Sequence, residues 1–99
     1  MKRTVRILRK AQADIEEMHR YVERDQPEAA DRLIERFLNG IESLERVPNR
    51  GVLPRDDRLR TLGFRVLVEG EHLIFYKVVR TQVRVYRVIH GQRKYEHMI

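Results

Sequence analysis

The sequence contains no cysteine. Disulfides, thiolate metal sites and thiol nucleophiles are therefore excluded, which suits a reducing compartment. No apolar run approaches the ~20 residues that a membrane span needs. The basic start, MKRTVRILRK, has no continuous apolar stretch of secretory length. The expectation is a soluble, intracellular, cytoplasmic protein with no membrane partner. Glycine-rich phosphate loops and nucleophile elbows are missing too, and no histidine–carboxylate set has a metal-ligand spacing. No metal and no cofactor are expected.

Acidic residues are scarce in one place only. Residues 1–49 carry ten Lys/Arg and ten Asp/Glu, whereas residues 50–99 carry eleven Lys/Arg against five Asp/Glu, so the whole excess of +6 lies in the second half. From Val78 to Tyr95 there is no acid, while Arg80, Arg84, Arg87, Arg93 and Lys94 all fall there. Such a one-sided field attracts nucleic acid or an acidic protein, against the plainer reading of a solvated basic surface. Lysine is rare as well (Lys2, Lys10, Lys77, Lys94) and arginine dominates. Arginine offers a planar fork for phosphate or carboxylate and stacks on bases.

What is present suits one domain, residues 1–99. TVRILRK alternates like a short strand. Ala11, Ile15, Met18 and Val22 then form the stripe of a helix that stops near RDQP. Pro27 suits the first turn of a second helix, with Glu28 and Asp31 where its dipole favours acids. Its stripe is Ala30, Ile34, Phe37, Ile41 and Leu44. The short connection predicts an antiparallel helical hairpin whose apolar faces need a sheet to cover.

VPNRGVLPRDD reads as the one long loop. Three strands follow, in GFRVLVE, EHLIFYKVV and VRVYRVI. In the third strand of the chain, Leu73, Phe75 and Val79 share one face, and His72, Ile74, Tyr76 and Val78 the other. In the last strand, strict alternation sets Val83, Val85 and Ile89 opposite Arg84, Tyr86, Val88 and His90. The expected class is α+β. An N-terminal strand joins a three-stranded antiparallel meander in one sheet, the hairpin packs on one face, and a short C-terminal helix or tail follows.

AQADIEEMHRYV, EAADRLIERFLNGIESLERVPNRG, LGFRVLVEGEHLIFYKVV and VRVYRVIHGQRKY together resemble the RelE/ParE superfamily of bacterial toxins. The resemblance rests on Ala11 with Asp14 and Ile15, Tyr21, Ala29–Ala30, Pro48 with Gly51, Arg65, Phe75–Tyr76 and the Arg87–Gly91 stretch, from about residue 5 to 95. It implies a microbial-ribonuclease-like fold. It also implies a toxin of a type II toxin–antitoxin module, bound by a cognate antitoxin in a heteromeric complex. One branch of the superfamily cleaves messenger RNA, often on the ribosome. Another poisons DNA gyrase and cleaves nothing.

Metal-independent RNA cleavage by 2′-hydroxyl attack needs a base, an acid and cations on the phosphorane. His90 is the proton-transfer candidate, because an ordinary histidine titrates near pH ~6.5. Arg65 and Arg93 are candidates to hold the phosphate, and Tyr95 to stack on a base. Arg60, Arg84, Arg87 and Lys94 are further candidates for contact with the nucleic acid. His19, His72 and His97 read as structural or surface residues. The leading expectation is mRNA cleavage at the ribosome, the alternative is gyrase poisoning, and a plain basic RNA-binding module is third. The long hairpin, uninterrupted to Glu45, and a central loop without lysines resemble the gyrase-poisoning members more. The antitoxin is expected to be acidic where it meets the basic strands.

Overall fold

The computed structural model describes residues 3–91, Tyr95 and Ile99. Chain order is strand β1 (Thr4–Ile7), helix α1 (Arg9–Glu23), helix α2 (Pro27–Ser43), short helix α3 (Asp57–Thr61), and strands β2 (Phe64–Glu69), β3 (His72–Val79) and β4 (Gln82–His90). Pro27 opens α2 with Glu28 in its first turn, as its fixed φ and missing N–H favour. The four strands form one sheet in the order β1-β4-β3-β2. The β2–β3–β4 meander is antiparallel, and β1 runs parallel to β4 at the other edge.

The helical hairpin covers one face, here called inner. Ala11, Ile15, Phe37, Ile41 and Leu44 meet Leu67, Ile74, Tyr76, Val83, Val85 and Val88 there. Each large side chain so buried contributes roughly 1.5–3 kcal/mol. His19 ties the hairpin together, its Nε2 3.0 Å from Asp31 Oδ1. The outer face carries a smaller cluster of Leu59, Phe64, Val66, Phe75 and Ile89, against which Tyr95 and Ile99 pack.

Two sequence expectations need correction. The long loop contains α3. Its N-cap is Asp56, whose side chain accepts from the Leu59 N–H at 2.9 Å, so Leu59 is delivered into the outer cluster. The strict alternation expected in β4 also fails. Tyr76 pairs with Val85 but Phe75 pairs with Arg87, so Tyr86 is an extra, bulged residue. Past it the faces exchange: Val88 joins Val83 and Val85 in the inner core, and Ile89 goes to the outer cluster. His90 opposes His72 on the inner side, away from Arg84 and Tyr86.

Candidate functional site

The bulge sits where β1 has ended and α1 takes over the edge of β4. Asp14 of α1 serves that edge. Its Oδ2 accepts from Arg87 Nε at 2.8 Å and from the Val88 N–H at 2.9 Å, and its Oδ1 accepts from Arg87 Nη2 at 3.0 Å. Both side chains are nearly buried, at 14% and 13% exposure. The hydrogen bonds to Asp14 hold the Arg87 guanidinium above its ordinary range, against the opposing effect of burial. Arg87, a candidate for nucleic-acid contact, therefore has a structural partner. Asp14 was missed as a working residue, although a signal existed. It lies three residues after Ala11 and four before Met18, on the apolar stripe of α1, where a carboxylate needs a buried partner.

A groove of about 690 Å³ opens beside this pair. Met18, Tyr21, Val22 and Leu33 of the hairpin form one wall, and His72 and His90 from the ends of β3 and β4 form the other. Tyr21 is 73% exposed at its mouth. The two imidazoles meet edge to face at 5.2 Å, and His72 also meets Phe37 at 5.1 Å. His72 is thus not the plain surface residue expected from sequence. Burial first, then the neighbouring His90, lowers its pKa from 6.5, while Glu71 pulls upward and Arg36 downward. His90 Nε2 lies 3.4 Å from the exposed Glu71 carboxylate, a long and solvated contact.

Arg65 lies on the inner side of β2, and its guanidinium is turned to the preceding loop. Its Nη2 donates to the Gly51 carbonyl at 2.7 Å and to the Asn49 carbonyl at 3.1 Å. Its buried Nε has no partner among the described residues. Beside it, the Tyr76 hydroxyl donates to the Pro48 carbonyl at 2.7 Å and accepts from the Gly51 N–H at 2.9 Å. Val52 then pairs with Val66, shielding the β2 edge. Gly51 is required by close approach. A Cβ there would stand 2.6 Å from the Val66 carbonyl oxygen and 2.7 Å from the Tyr76 hydroxyl.

The remaining candidates scatter. Arg60 pairs with Asp57 on α3. Arg84 Nε donates to Gln82 Oε1 at 2.7 Å, with its side chain on the outer face. Tyr95 packs on Phe75, also on the outer face, at 4.9 Å between ring centroids. Arg93 and Lys94 lie outside the described residues. Arg65 pairs with Tyr76 and His90 with His72, four residues apart along β3 and two strands apart across the sheet. At ~3.3 Å per residue and ~4.8 Å per strand, their backbones are about 16 Å apart. Arg65 and His90 therefore share a face but not a site, and Tyr95 lies on the other face.

The family model for the ParE toxin of the type II toxin–antitoxin system parDE matches residues 5–95. The Sinorhizobium fredii protein Y4kP is 27% identical over 96 residues, covering 97% of this chain and 92% of its own. Among solved structures, the chromosomal ParDE system of P. aeruginosa contains a chain of similar fold. It has a TM-score of 0.77 and 18% identity, covering 92% of this chain and 98% of that one. The RelBE2 toxin–antitoxin complex of Mycobacterium tuberculosis contains another, with a TM-score of 0.62 and 25% identity, covering 91% and 99%.

Proposed function

The chain belongs to the ParE toxin family of type II toxin–antitoxin systems, and from that premise we propose that it arrests growth by binding DNA gyrase rather than by cutting RNA. The observation that carries this reading is the separation of Arg65 from His90. Phosphodiester transfer needs a proton-transfer group within ~3 Å of the hydroxyl it deprotonates and a cation on the same phosphate. Two side chains rooted about 16 Å apart, one of them bonded to loop carbonyls, do not meet that requirement. The hairpin wall of the groove sets Met18, Val22 and Leu33, with Tyr21 at its mouth, among the charged Glu17, Arg20 and Arg24; it suits an amphipathic segment of a binding partner, and we assign it to the cognate antitoxin.

The test is induction in a host strain, with RNA 5′ ends mapped alongside plasmid supercoiling. Cleaved or relaxed plasmid with intact transcripts is expected. New codon-phased RNA ends with normal supercoiling would overturn the reading in favour of mRNA cleavage. His90→Ala should leave the arrest within about twofold of wild type, whereas loss of a proton-transfer group lowers a rate ~100-fold or more.

A further inference from the structure

The outer face of the sheet holds a charge arrangement that the fold itself does not explain. Arg6 on β1 pairs in register with Arg84 on β4, and Arg84 pairs with Lys77 on β3. The row ends at Phe64 on β2, the register partner of Lys77. Like charges directly opposite on neighbouring strands repel, so a row of three is destabilising within the chain. Alternation fixes the side they occupy: Val5, Ile7, Val83, Val85 and Val78 all belong to the inner core, so Arg6, Arg84 and Lys77 face outward. Glu69, the one acid in β2–β4, is on the inner side, opposite His72 and against Gly40 of α2. Lys77 is partly accommodated by aromatic faces, 4.6 Å from the Phe64 ring and 5.3 Å from that of Tyr86. Gln82 takes one donor of Arg84.

Beside the row the same face hollows into a pocket of about 510 Å³ lined by Lys10, Arg58, Phe64, Tyr86, Arg87 and Ile99, among others. Among the described residues its lining holds no acidic side chain, and Arg58 Nη2 donates to the Ile99 oxygen at 3.3 Å. The strands sit ~4.8 Å apart, so the three aligned cations span about 10 Å at the backbone. Long side chains from such a row reach adjacent phosphates, and the arginine forks suit phosphate oxygens. We infer that the Arg6–Arg84–Lys77 row is a contact surface for the phosphodiester backbone of DNA, on the face opposite the antitoxin groove. This rests on the gyrase reading, in which cleaved DNA is held beside the toxin, and it would let the toxin contact that DNA as well as the enzyme.

The test uses the purified full chain and a labelled 20-base-pair duplex, titrated by anisotropy at several salt concentrations. Three phosphate contacts give a slope of log K against log salt of about −2.7, a loss of about 40-fold in affinity between 50 and 200 mM. Each of Arg6→Gln, Lys77→Gln and Arg84→Gln should flatten the slope by about 0.9, and the triple variant by about 2.7. Removing repulsion should leave the triple variant's thermal midpoint at or near wild type, which confirms folding. Arg32→Gln, an exposed α2 residue on the helical side, should leave the slope unchanged. An equal effect of Arg32→Gln would mean general charge attraction and would overturn the inference. Tighter binding to single-stranded RNA than to the duplex would do so too, as would displacement of the duplex by polyglutamate at equal charge. A gyrase cleavage assay separates the two readings. If the triple variant traps as much cleaved plasmid as wild type, the DNA contact is refuted and the gyrase reading stands. If wild type traps none, the gyrase reading fails and the duplex titration decides the face alone.

Discussion

Asp14→Ala is the substitution with the largest consequence that can be worked from geometry. The Asp14 carboxylate accepts three hydrogen bonds, two from Arg87 and one from the Val88 N–H. Its removal leaves a buried backbone donor unsatisfied, at about 1–3 kcal/mol. It also takes from Arg87, only 13% exposed, the carboxylate that accepts two of its hydrogen bonds. Breaking a fully buried pair costs about 3–5 kcal/mol, and the residual exposure here lets water reach the guanidinium, so the lower end applies, about 3 kcal/mol in total. For a domain of this size that is about 15 °C in thermal midpoint. Arg87→Ala should cost less, because Asp14 keeps the Val88 N–H and can still be hydrated. Asp14→Asn should fall between wild type and Asp14→Ala. Urea unfolding followed by circular dichroism, with the double variant to complete a cycle, reads all of these. If Asp14→Ala shifts the midpoint by less than Arg87→Ala, the carboxylate does not hold the β4 edge and the reasoning is wrong.

Three further outcomes are expected. Gly51→Ala should destabilise by about 1–3 kcal/mol in urea titrations, because the new Cβ meets backbone and the Tyr76 ring rather than a flexible side chain; a neutral result would mean that the loop moves freely. Tyr76→Phe should cost about 2 kcal/mol, since the Pro48 carbonyl and the Gly51 N–H both lose their partner. Acid should destabilise the fold through His72. Its folded pKa lies below its ordinary 6.5, so the unfolded chain takes up the proton first. His72's contribution is complete above pH 6.5 and is lost as the pH falls from there through the lowered value. His90 and Arg36 act in the same direction as burial and Glu71 opposes them, so midpoint curves from pH 7.5 to 5 should be steeper for wild type than for His72→Asn. Superimposable curves would remove His72 from the account.

Much of the fold was legible because it depends on local periodicity. The stripes Ala11–Ile15–Met18 and Ala30–Ile34–Phe37–Ile41–Leu44 set two helices, Pro27 and the RDQP break set their boundary, and period-two runs set the meander. Helix α3 was hidden because five residues leave no period to read, although Asp56 is a recognisable cap. The candidate site was much less legible. Alternation carried forward from Val83 puts His90 on the side of Arg84 and Tyr86. One bulged residue, Tyr86, reverses every side chain beyond it.

The sequence alone determined the two long helices and the four strands, their order, the basic second half and the absence of thiol chemistry, since these follow from composition and short-range sterics. Only the tertiary structure decided which cations stand together. Asp14, from a helix more than seventy residues away in the chain, engages Arg87 and the Val88 N–H beside the bulge. Past that bulge, His90 faces the helices while Arg84 stays on the outer face, in register with Arg6 and Lys77. Which face a strand residue takes depends on counting every residue before it, and that count changes when a bulge takes one residue out of the ladder.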